Sequence, residues 1–409
     1  MTTAVVVGGG PAGLMAAEVL ATAGVSVSVH ERMPSMGRKL QLAGRGGLNI
    51  TSAEALDALL ERYGPARPRL EPAIVAFGPQ ALRAWCAGLG EETFVGTSGR
   101  VFPVALRSTG LLRAWLRRLE ALGVELVVRR TWLGWDGEAL RFADAAGLET
   151  TVAPDVTVLA LGGASWPRVG SDGAWVEVVR GGGVTVTPLR PANCGFTVAW
   201  TEVFAERYAG TPLKNVVLSG GGTTVRGEAM ITRAGIEGGA VYALSRHLRD
   251  AVEADGATAL TVDLQPDLDV DRLASRLGRR ASDSSSTALR RAGLPPVAGG
   301  LLREVTGNRL PGEPAALAAL AKAVPLRLEG VQPLARAIST AGGIALDEVD
   351  DAYMLRARPG TFVAGEMLDW EAPTGGHLLQ ATFATAVAAA SGALAWLAAS
   401  GDDVEADRA

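Results

Sequence analysis

Three glycines near the start of the chain are spaced as Gly8-x-Gly10-x-x-Gly13, and an acid, Glu31, follows about 20 residues later. Gly8 permits a tight turn, Gly10 lets backbone N–H groups approach a diphosphate, and Gly13 lets a helix pack on a strand. The carboxylate of Glu31 can accept hydrogen bonds from both ribose hydroxyls of an adenosine. The pattern therefore predicts a site for an ADP-containing cofactor, and it leaves FAD and NAD open.

The elements that must position these residues are also visible in the sequence. The apolar run 4–7 fits a buried parallel strand, and 11–22 has helical spacing after a proline in the first turn. Gly24 ends this helix, and alternating valines over 25–29 indicate a second strand that ends at Glu31. Free N–H groups and partial positive charge at the helix start favour a diphosphate. The order strand, turn, helix, strand and acid predicts a Rossmann-like unit.

Three later blocks resemble a known family. They are "GRKLQLAGRGGLNIT" at 37–51, "DVTVLALGGASWPRVGSDG" at 155–173 and "TFVAGEMLDWEAPTGGH" at 361–377. Nearly end to end, the chain resembles the bacterial flavoproteins of the HI0933-like family, the group related to BaiN and aminoacetone oxidase. It departs from the commoner version at Gly47 and Leu48, where relatives often have arginine and cysteine, which indicates a divergent side branch.

The resemblance implies that the cofactor is FAD, bound noncovalently by segments from both ends of the chain. Arg38 and Lys39 could pair with its phosphates, and the backbone of 44–47 could pass close to the flat ring. The helix that follows Gly376 would point its N-terminus at the flavin pyrimidine edge, where negative charge develops on reduction. The complete set of predicted cofactor-binding residues is Gly8, Gly10, Pro11, Ala12, Gly13, Glu31, Arg32, Arg38, Lys39, Gly44, Arg45, Asn49, Trp132, Gly162, Gly163, Gly365, Glu366, Asp369, Gly375, Gly376, His377 and Leu378.

Some of these residues have roles that come from the resemblance alone. In related flavoproteins the end of a strand, here near Trp132, lies by the adenine. Gly162 and Gly163 would let their loop approach the cofactor. Glu366 and Asp369 would be available to the ribityl hydroxyls.

The predicted catalytic residues are Arg233, Glu237 and His377. The first two lie in the block "ITRAGIEGGAVYALS" at 231–245, which resembles a family segment that approaches the flavin face from a second domain. Arg233 could hold an anionic or carbonyl substrate, and Glu237 or His377 could move a proton. Two alternatives stay open, because Arg233 and Glu237 could pair with each other and His377 could simply cap a helix.

The predicted fold class is α/β, with a Rossmann-like FAD-binding domain of the two-dinucleotide-fold flavoprotein type, an inserted β-barrel-like domain and a small helical cap. The predicted bounds are 1–190 plus 335–400 for the FAD-binding domain, 191–266 plus 325–335 for the β domain, 267–324 for the cap, and 401–409 for a disordered tail. The glycine runs at 180–185 and 219–224 lack a following helix and acid, so we expect hairpin turns there. NAD(P)H, if used, would dock transiently.

Composition excludes several function classes. A net charge of −4 over 409 residues gives no global attraction to nucleic acid or to an anionic membrane. Two distant cysteines and three unpaired histidines predict neither a redox pair nor a metal site. The N-terminus lacks the pattern of a signal peptide, which favours a cytoplasmic location, and the apolar stretch 377–400 is predicted as a buried helix without membrane contact.

The main functional hypothesis is an FAD-dependent oxidoreductase of a small molecule, either a reductase of an activated double bond or an oxidase of an amine-like compound. A second hypothesis takes RNA as the substrate and reduces an exposed uracil. Its phosphate contacts would come from arginines of the cap, namely Arg272, Arg276, Arg279, Arg280, Arg290 and Arg291, although a solvated helical face explains them equally simply. A third hypothesis is a regulator that binds flavin without catalysis. The oligomeric state is not determined by the sequence.

Overall fold

The computed structural model describes residues 2–278 and 284–406, without the side chains of Arg45 and of 401–406. Three predictions therefore fall outside the described residues: the phosphate contacts of Arg279 and Arg280, the side-chain role of Arg45, and the last part of the tail, 407–409.

The described residues form twenty strands, fourteen α-helices and six short 3-10 helices. The strands are β1 (Thr3–Val7), β2 (Ser26–Glu31), β3 (Thr51–Ser52), β4 (Thr93–Val95), β5 (Arg100–Pro103), β6 (Glu125–Val128), β7 (Thr131–Asp136), β8 (Ala139–Ala143), β9 (Glu149–Val152), β10 (Val156–Leu159), β11 (Val186–Ala192), β12 (Phe196–Thr197), β13 (Pro212–Gly220), β14 (Thr223–Thr232), β15 (Gly235–Glu237), β16 (Thr258–Asp263), β17 (Val324–Leu328), β18 (Gly330–Val331), β19 (Ser339–Ile344) and β20 (Thr361–Val363). The helices are α1 (Pro11–Thr22), α2 (Arg38–Ala43), α3 (Leu56–Glu61), α4 (Arg67–Ala76), α5 (Pro79–Gly88), α6 (Ser108–Ala121), α7 (Trp175–Gly181), α8 (Glu202–Tyr208), α9 (Gly239–Asp255), α10 (Val270–Leu277), α11 (Ser285–Arg291), α12 (Pro296–Val305), α13 (Pro314–Lys322) and α14 (His377–Ala406).

The chain divides into two compact units. Unit 1 comprises Met1–Arg190 and Ser339–Ala409, and unit 2 comprises Pro191–Ile338. The chain leaves unit 1 along β11 and re-enters it along β19, and these two strands pair with each other.

A five-stranded parallel sheet with the order β20-β10-β1-β2-β6 forms the centre of unit 1. All four residues of β10 are buried, and so are four of the five residues of β1, as expected for strands covered on both faces. Helix α1 connects β1 to β2, which confirms the predicted Rossmann-like order of elements. Because the carboxyl ends of parallel strands lie at one edge, the glycine turn after β1 and Glu31 at the end of β2 share that edge.

Helix α14 is a core helix of unit 1. It packs against α1 and α4, and small buried side chains such as Ala384 and Ala386 allow close approach to its neighbours. By length and composition alone, His377–Ser400 could cross a membrane, and 44% of its most apolar window is buried inside the fold. The disordered tail predicted from residue 401 needs correction, because the helix continues to Ala406; extending an existing helix needs no new nucleation, so even poor helix formers can be added to its end.

The described residues of unit 2 form a seven-stranded antiparallel sheet with the order β17-β16-β13-β14-β15-β12-β18 and six α-helices. The apolar side chains of the sheet and of α10 to α13 form one core, so the helices predicted as a cap share the interior of the β part. The hairpin turn predicted within 219–224 is present: Gly221 and Gly222, with φ of +58° and +75°, connect β13 to β14. The turn predicted at 180–185 is wrong, because α7 runs to Gly181 and the glycines end that helix.

Candidate functional site

The turn between β1 and α1 has the backbone geometry that the glycine spacing predicts. A Cβ atom on Gly8 would clash with the carbonyl oxygen of Ala160, and one on Gly13 would clash with the carbonyl oxygen of Gly8. By contrast, a Cβ on Gly10 would meet no described atom within 4 Å. Gly10 is the N-cap of α1, and no side chain there caps the free N–H groups of the first turn. An open helix N-terminus of this kind fits a phosphate-sized anion.

Glu31 is held in place by two backbone N–H groups, one in the glycine turn and one just after β2. Its Oε2 accepts a hydrogen bond from the Gly9 N–H at 2.8 Å, and its Oε1 accepts one from the Met33 N–H at 2.7 Å. A carboxylate has about four lone-pair sites, so each oxygen keeps capacity for a further donor. The carboxylate is therefore oriented and still able to accept ribose hydroxyls.

The C-terminal segment meets the N-terminal turn. A Cβ on Gly365 would lie 2.8 Å from the Cβ of Ala12 and 3.5 Å from Cγ2 of Thr382. The Gly365 N–H donates to Oγ1 of Thr385 at 3.0 Å, which ties this turn to α14. Residues more than 350 positions apart, predicted to hold one cofactor, thus lie at the same place in unit 1.

Lys39 and Glu366 form an ion pair. Lys39 Nζ lies 2.7 Å from Glu366 Oε2 and 2.8 Å from Oγ of the buried Ser165, and Glu366 Oε1 accepts the Thr340 N–H at 2.9 Å. A Cβ on Gly163 would lie 3.1 Å from Cδ of Glu366. The predicted phosphate ligand and the predicted ribityl ligand are therefore partners, and Thr340 and Ser165 join a cluster that sequence reasoning missed.

In unit 1, several polar atoms of predicted cofactor residues and of Ser171 are buried without a hydrogen-bond partner among the described residues. They are Oδ1 of Asn49, Oγ of Ser171, and the Nε atoms of Arg32 and Arg38. Arg32 also pairs with Asp172 through Nη1 at 2.7 Å. Ser171 lies beside the second glycine turn, since a Cβ on Gly162 would be 3.9 Å from its Oγ. Orphaned buried polar atoms are rare in folded proteins, and a bound molecule with both phosphate and hydroxyl groups would satisfy them.

Trp132 lies in an aromatic cluster of unit 1. It is buried on β7, opposite Phe142 on β8, with its ring centroid 4.8 Å from that of Trp135. Phe142 stacks on His30 at 4.3 Å. Burial and the nearby charge of Arg130 lower the pKa of His30 to about 4. The indole nitrogen of Trp132 has no partner among the described residues, and the predicted adenine contact stays a prediction.

Two of the remaining predicted cofactor residues, Gly44 and Gly376, lie next to helix ends and are closely packed. Gly44 directly follows α2. It packs so closely on Ser108 that a Cβ atom on Gly44 would clash with Oγ of Ser108. Gly376 lies against the backbone of Thr51, where a Cβ would also clash. Leu378 is in the first turn of α14, and the backbone N–H of Asp369 donates to the Ile344 carbonyl at 2.9 Å.

His377 has both ring nitrogens engaged. Nε2 lies 2.6 Å from Oε1 of Glu54, and Nδ1 lies 3.2 Å from the carbonyl oxygen of Pro373. Its own carbonyl oxygen accepts the hydroxyl of buried Tyr63 at 2.8 Å. The predicted transfer of a substrate proton stays a prediction, and the geometry favours a positioning role. Glu54 carries no motif signal and was missed by sequence reasoning.

In unit 2, Arg233 is exposed between β14 and β15, and half-buried Glu237 ends β15. Among the described residues no ion pair joins them, which disfavours the open alternative that they pair with each other. Burial and, second, the charge of Glu237 raise the pKa of Tyr242 to about 12. Tyr242, in the first turn of α9, is thus a neighbour of Glu237 that sequence reasoning missed; the helix itself was also unpredicted.

A separate cleft of about 750 Å³ opens between α8, α11 and α12 of unit 2. Phe204, Leu289 and Leu294 form part of its apolar lining, and Arg290, one of the arginines predicted to contact RNA, also lines it. Among the described residues no group of three or more histidine, cysteine or acidic side chains could hold a metal ion.

Comparison with known proteins places these features in a family. The family model of the HI0933-like protein Rossmann domain matches residues 2–392. A 3-dehydro-bile acid delta(4,6)-reductase of Clostridium scindens is 25% identical over 406 residues, which cover 93% of this chain and 96% of the relative. A ribosomal RNA dihydrouridine synthase of Haemophilus influenzae is 24% identical over 260 residues, covering 61% of this chain and 63% of the relative.

Among solved structures, a 3-ketosteroid delta1-dehydrogenase from Sterolibacterium denitrificans, in complex with 1,4-androstadiene-3,17-dione, has a TM-score of 0.52. It is 14% identical, and the match covers 97% of this chain and 100% of that one, which shows a shared fold. Since the family model spans nearly the entire chain, the protein belongs to the HI0933-like family.

Proposed function

We propose that the protein is an FAD-dependent oxidoreductase that transfers hydride between noncovalently bound FAD and either NAD(P)H or a small organic substrate. The observation that carries the proposal is the meeting of Gly365 with Ala12, beside the open N-terminus of α1. A dinucleotide needs a diphosphate site and a ribose acceptor, and FAD also needs a second segment to hold its ring system.

The residues present fit FAD. The free N–H groups at the start of α1 would bind its diphosphate, and Glu31 would accept hydrogen bonds from the adenosine ribose. The unpartnered Nε of Arg38 would add a donor toward phosphate, and the unpartnered Oδ1 of Asn49 would accept from a polar edge of the ring system. A phosphate and a polar ring edge would thus give partners to two buried polar atoms that have none among the described residues.

FAD, when bound, supplies a centre that accepts and returns hydride. The role of the protein is to bind and orient the FAD. The turn at Gly375 and Gly376 and the first turn of α14 present backbone N–H groups and the positive end of a helix, which stabilise negative charge placed there. Lys39 and Glu366 hold each other, so they fix the position of α2 relative to the turn after β20. This keeps the walls of the site in place.

The substrate that we propose is a small organic molecule with an activated double bond, reduced at the expense of NAD(P)H. The name of the Clostridium scindens relative, a reductase, supports this version over oxidation of an amine. Arg233 and Glu237 stay the predicted substrate-binding and proton-transferring groups, with Tyr242 added as a neighbour of Glu237. NAD(P)H would dock transiently, since the described residues contain one parallel sheet of the dinucleotide-binding type. We also infer a cytoplasmic location.

The test is the visible spectrum of the purified protein under anaerobic conditions. We expect a flavin absorption band, present on isolation or after addition of FAD, that bleaches with NADH or NADPH. A protein that stays colourless after FAD addition would overturn the proposal. A protein that binds FAD but is reduced by neither nicotinamide nor a candidate substrate would favour the flavin-binding regulator.

A second candidate function, reduction of a uracil in RNA, is supported by the name of the Haemophilus influenzae relative and by exposed arginines of unit 2 such as Arg272 and Arg290. Each guanidinium that contacts a phosphate adds to the salt dependence of binding. RNA binding that weakens steeply between low and physiological salt, and less steeply after Arg272→Ala and Arg290→Ala, would favour RNA over a small molecule.

A further inference from the structure

Glu54 lies outside every motif of the sequence, yet it contacts His377, a residue of the candidate site that is 323 positions away in the chain. It follows β3 and precedes α3, and its Oε1 lies 2.6 Å from Nε2 of His377 at the start of α14. We propose that Glu54 is a positioning residue of the FAD site, which acts by fixing the His377 ring and, through it, the turn 375–377. The inference rests on the proposed function, because that turn is a site feature only if FAD binds there.

The ring of His377 is enclosed between two acceptors. The Glu54 carboxylate lies 2.6 Å from Nε2 and the carbonyl oxygen of Pro373 lies 3.2 Å from Nδ1, so the ring is held from both sides. The ring also folds back over Gly375, where a Cβ atom would lie 2.6 Å from Cε1 of His377. Gly375 and Gly376, with φ of +144° and +96°, adopt conformations that favour glycine. The turn therefore has little stiffness of its own, and the ring supports it.

Glu54 is itself held in place. Its Oε2 accepts from Arg62 Nη2 at 2.8 Å and from Arg62 Nε at 3.2 Å. Burial raises the pKa of Glu54, but the hydrogen bonds from Arg62 and His377 outweigh burial and bring the pKa below its usual range. The carboxylate is therefore ionised at neutral pH, and its hydrogen bond to the ring is charge-assisted.

Neighbouring contacts link the same two segments. Oγ1 of Thr51 bonds to Oε1 of Gln380 at 2.7 Å, and Gly376 packs on the backbone of Thr51. Thr51 lies four residues after the segment 44–47, whose backbone is predicted to pass close to the flavin ring. Glu54 thus fixes the start of α14 relative to the segment that leads into β3, and those are the two walls predicted for the ring.

The experiment compares Glu54→Ala, Glu54→Gln and a control, Glu61→Ala, in the full chain. Glu61 is an exposed carboxylate on α3 that pairs with Arg67, so its removal leaves His377 untouched. Hydrogen exchange of the apoprotein measures how well the turn 375–377 is ordered. Quenching of FAD fluorescence during a titration measures the affinity for FAD. We expect Glu54→Ala to speed exchange at 375–378 and to weaken FAD binding about tenfold, with Glu54→Gln restoring most of the affinity because its amide oxygen still accepts from His377. Glu61→Ala should match the wild type in both.

The other outcomes overturn either the proposed function or the positioning role of Glu54. If the wild type binds no FAD, the proposed function fails, whatever exchange shows. If the wild type binds FAD and Glu54→Ala binds it equally well, or if Glu61→Ala loses as much, the positioning role is wrong. Should Glu54→Ala not fold, Glu54→Asp, which withdraws the carboxylate by about 1.5 Å, is expected to weaken FAD binding in its place; wild-type affinity there would equally overturn the inference.

Discussion

Gly365 lies directly against Ala12, so close that a Cβ on the glycine would stand 2.8 Å from the Cβ of the alanine. Ala12 belongs to the first turn of α1, and Gly365 follows β20 at the other end of the chain. Adding a methyl group at this contact would force the two segments apart. The contact therefore sets the distance between the predicted diphosphate site and the predicted ring site.

Gly365→Ala should weaken FAD binding and destabilise unit 1. Its φ of +76° adds backbone strain of about 1–2 kcal/mol to the steric clash with Ala12. Gly24→Ala is a matched control, because Gly24 has a φ of +86° and open space where the Cβ would lie. FAD titration of both variants isolates the contact: equal loss of affinity in the two would show that strain, not the contact, is responsible.

Gly10→Ala should separate binding from stability. Gly10 has a φ of −84°, which alanine adopts freely, and a Cβ there would meet no described atom within 4 Å. The loss of unfolding free energy should be about 1 kcal/mol, since alanine is a poorer N-cap residue than glycine. FAD affinity should fall by at least about tenfold, because the methyl group would occupy the approach of the diphosphate. If Gly10→Ala folds stably, as judged by urea unfolding, and binds FAD as tightly as the wild type, the diphosphate binds elsewhere.

The local unit β1-α1-β2 could be predicted to within one residue, because strand, turn and helix signals there are all short-range. Helix α1 begins at Pro11 and ends at Thr22, where the apolar spacing and Gly24 indicate. Glycine is needed where a Cβ atom would clash with the backbone. The roles of Gly8 and Gly13 in the turn could therefore be predicted without knowing which residues pack around them. The same holds for Gly221 and Gly222 in their two-residue hairpin.

The side-chain partnerships could not be predicted, because they join residues far apart in sequence. Lys39 and Glu366 are separated by 327 positions, and Glu54 and His377 by 323. From sequence alone, a lysine near a predicted phosphate site is interpreted as a phosphate ligand. The ion pair of Lys39 with Glu366 becomes known only from the structure. Glu54 has no spacing or composition signal, and its role depends entirely on where the tertiary fold puts His377.

The Lys39–Glu366 pair should show energetic coupling. A double-mutant cycle with Lys39→Met and Glu366→Gln is expected to give a coupling of about 1 kcal/mol in unfolding free energy, a modest value because both side chains keep some solvent contact. Each single variant should also bind FAD more weakly than the wild type. Additive effects of the two substitutions on urea unfolding would contradict the pairing.

His30 should make stability depend on pH. Its pKa is lowered from 6.5 to about 4 in the folded protein, so between these values the unfolded chain binds more protons. Unfolding free energy should therefore fall as the pH drops from 6.5 toward 4, by at most about 3 kcal/mol from this residue. The contribution is fully present above pH 6.5.

Urea unfolding of His30→Asn and of the control His247→Asn, at pH 7 and pH 5, checks this expectation. His30→Asn should lose part of its stability at pH 7, because the stacking on Phe142 is disturbed, but should lose less than the wild type on acidification. His247 is exposed, so its replacement removes no buried imidazole and serves as the control. An unchanged pH slope in His30→Asn would contradict the assignment.

Hydrogen exchange with and without added FAD tests the central claim most directly, that one FAD molecule is held by both ends of the chain within unit 1. The account predicts slower exchange on FAD addition both in the turn 8–13 and in 365–378, with one FAD bound per chain. Protection of only one of these two segments, or the absence of FAD binding, would contradict it.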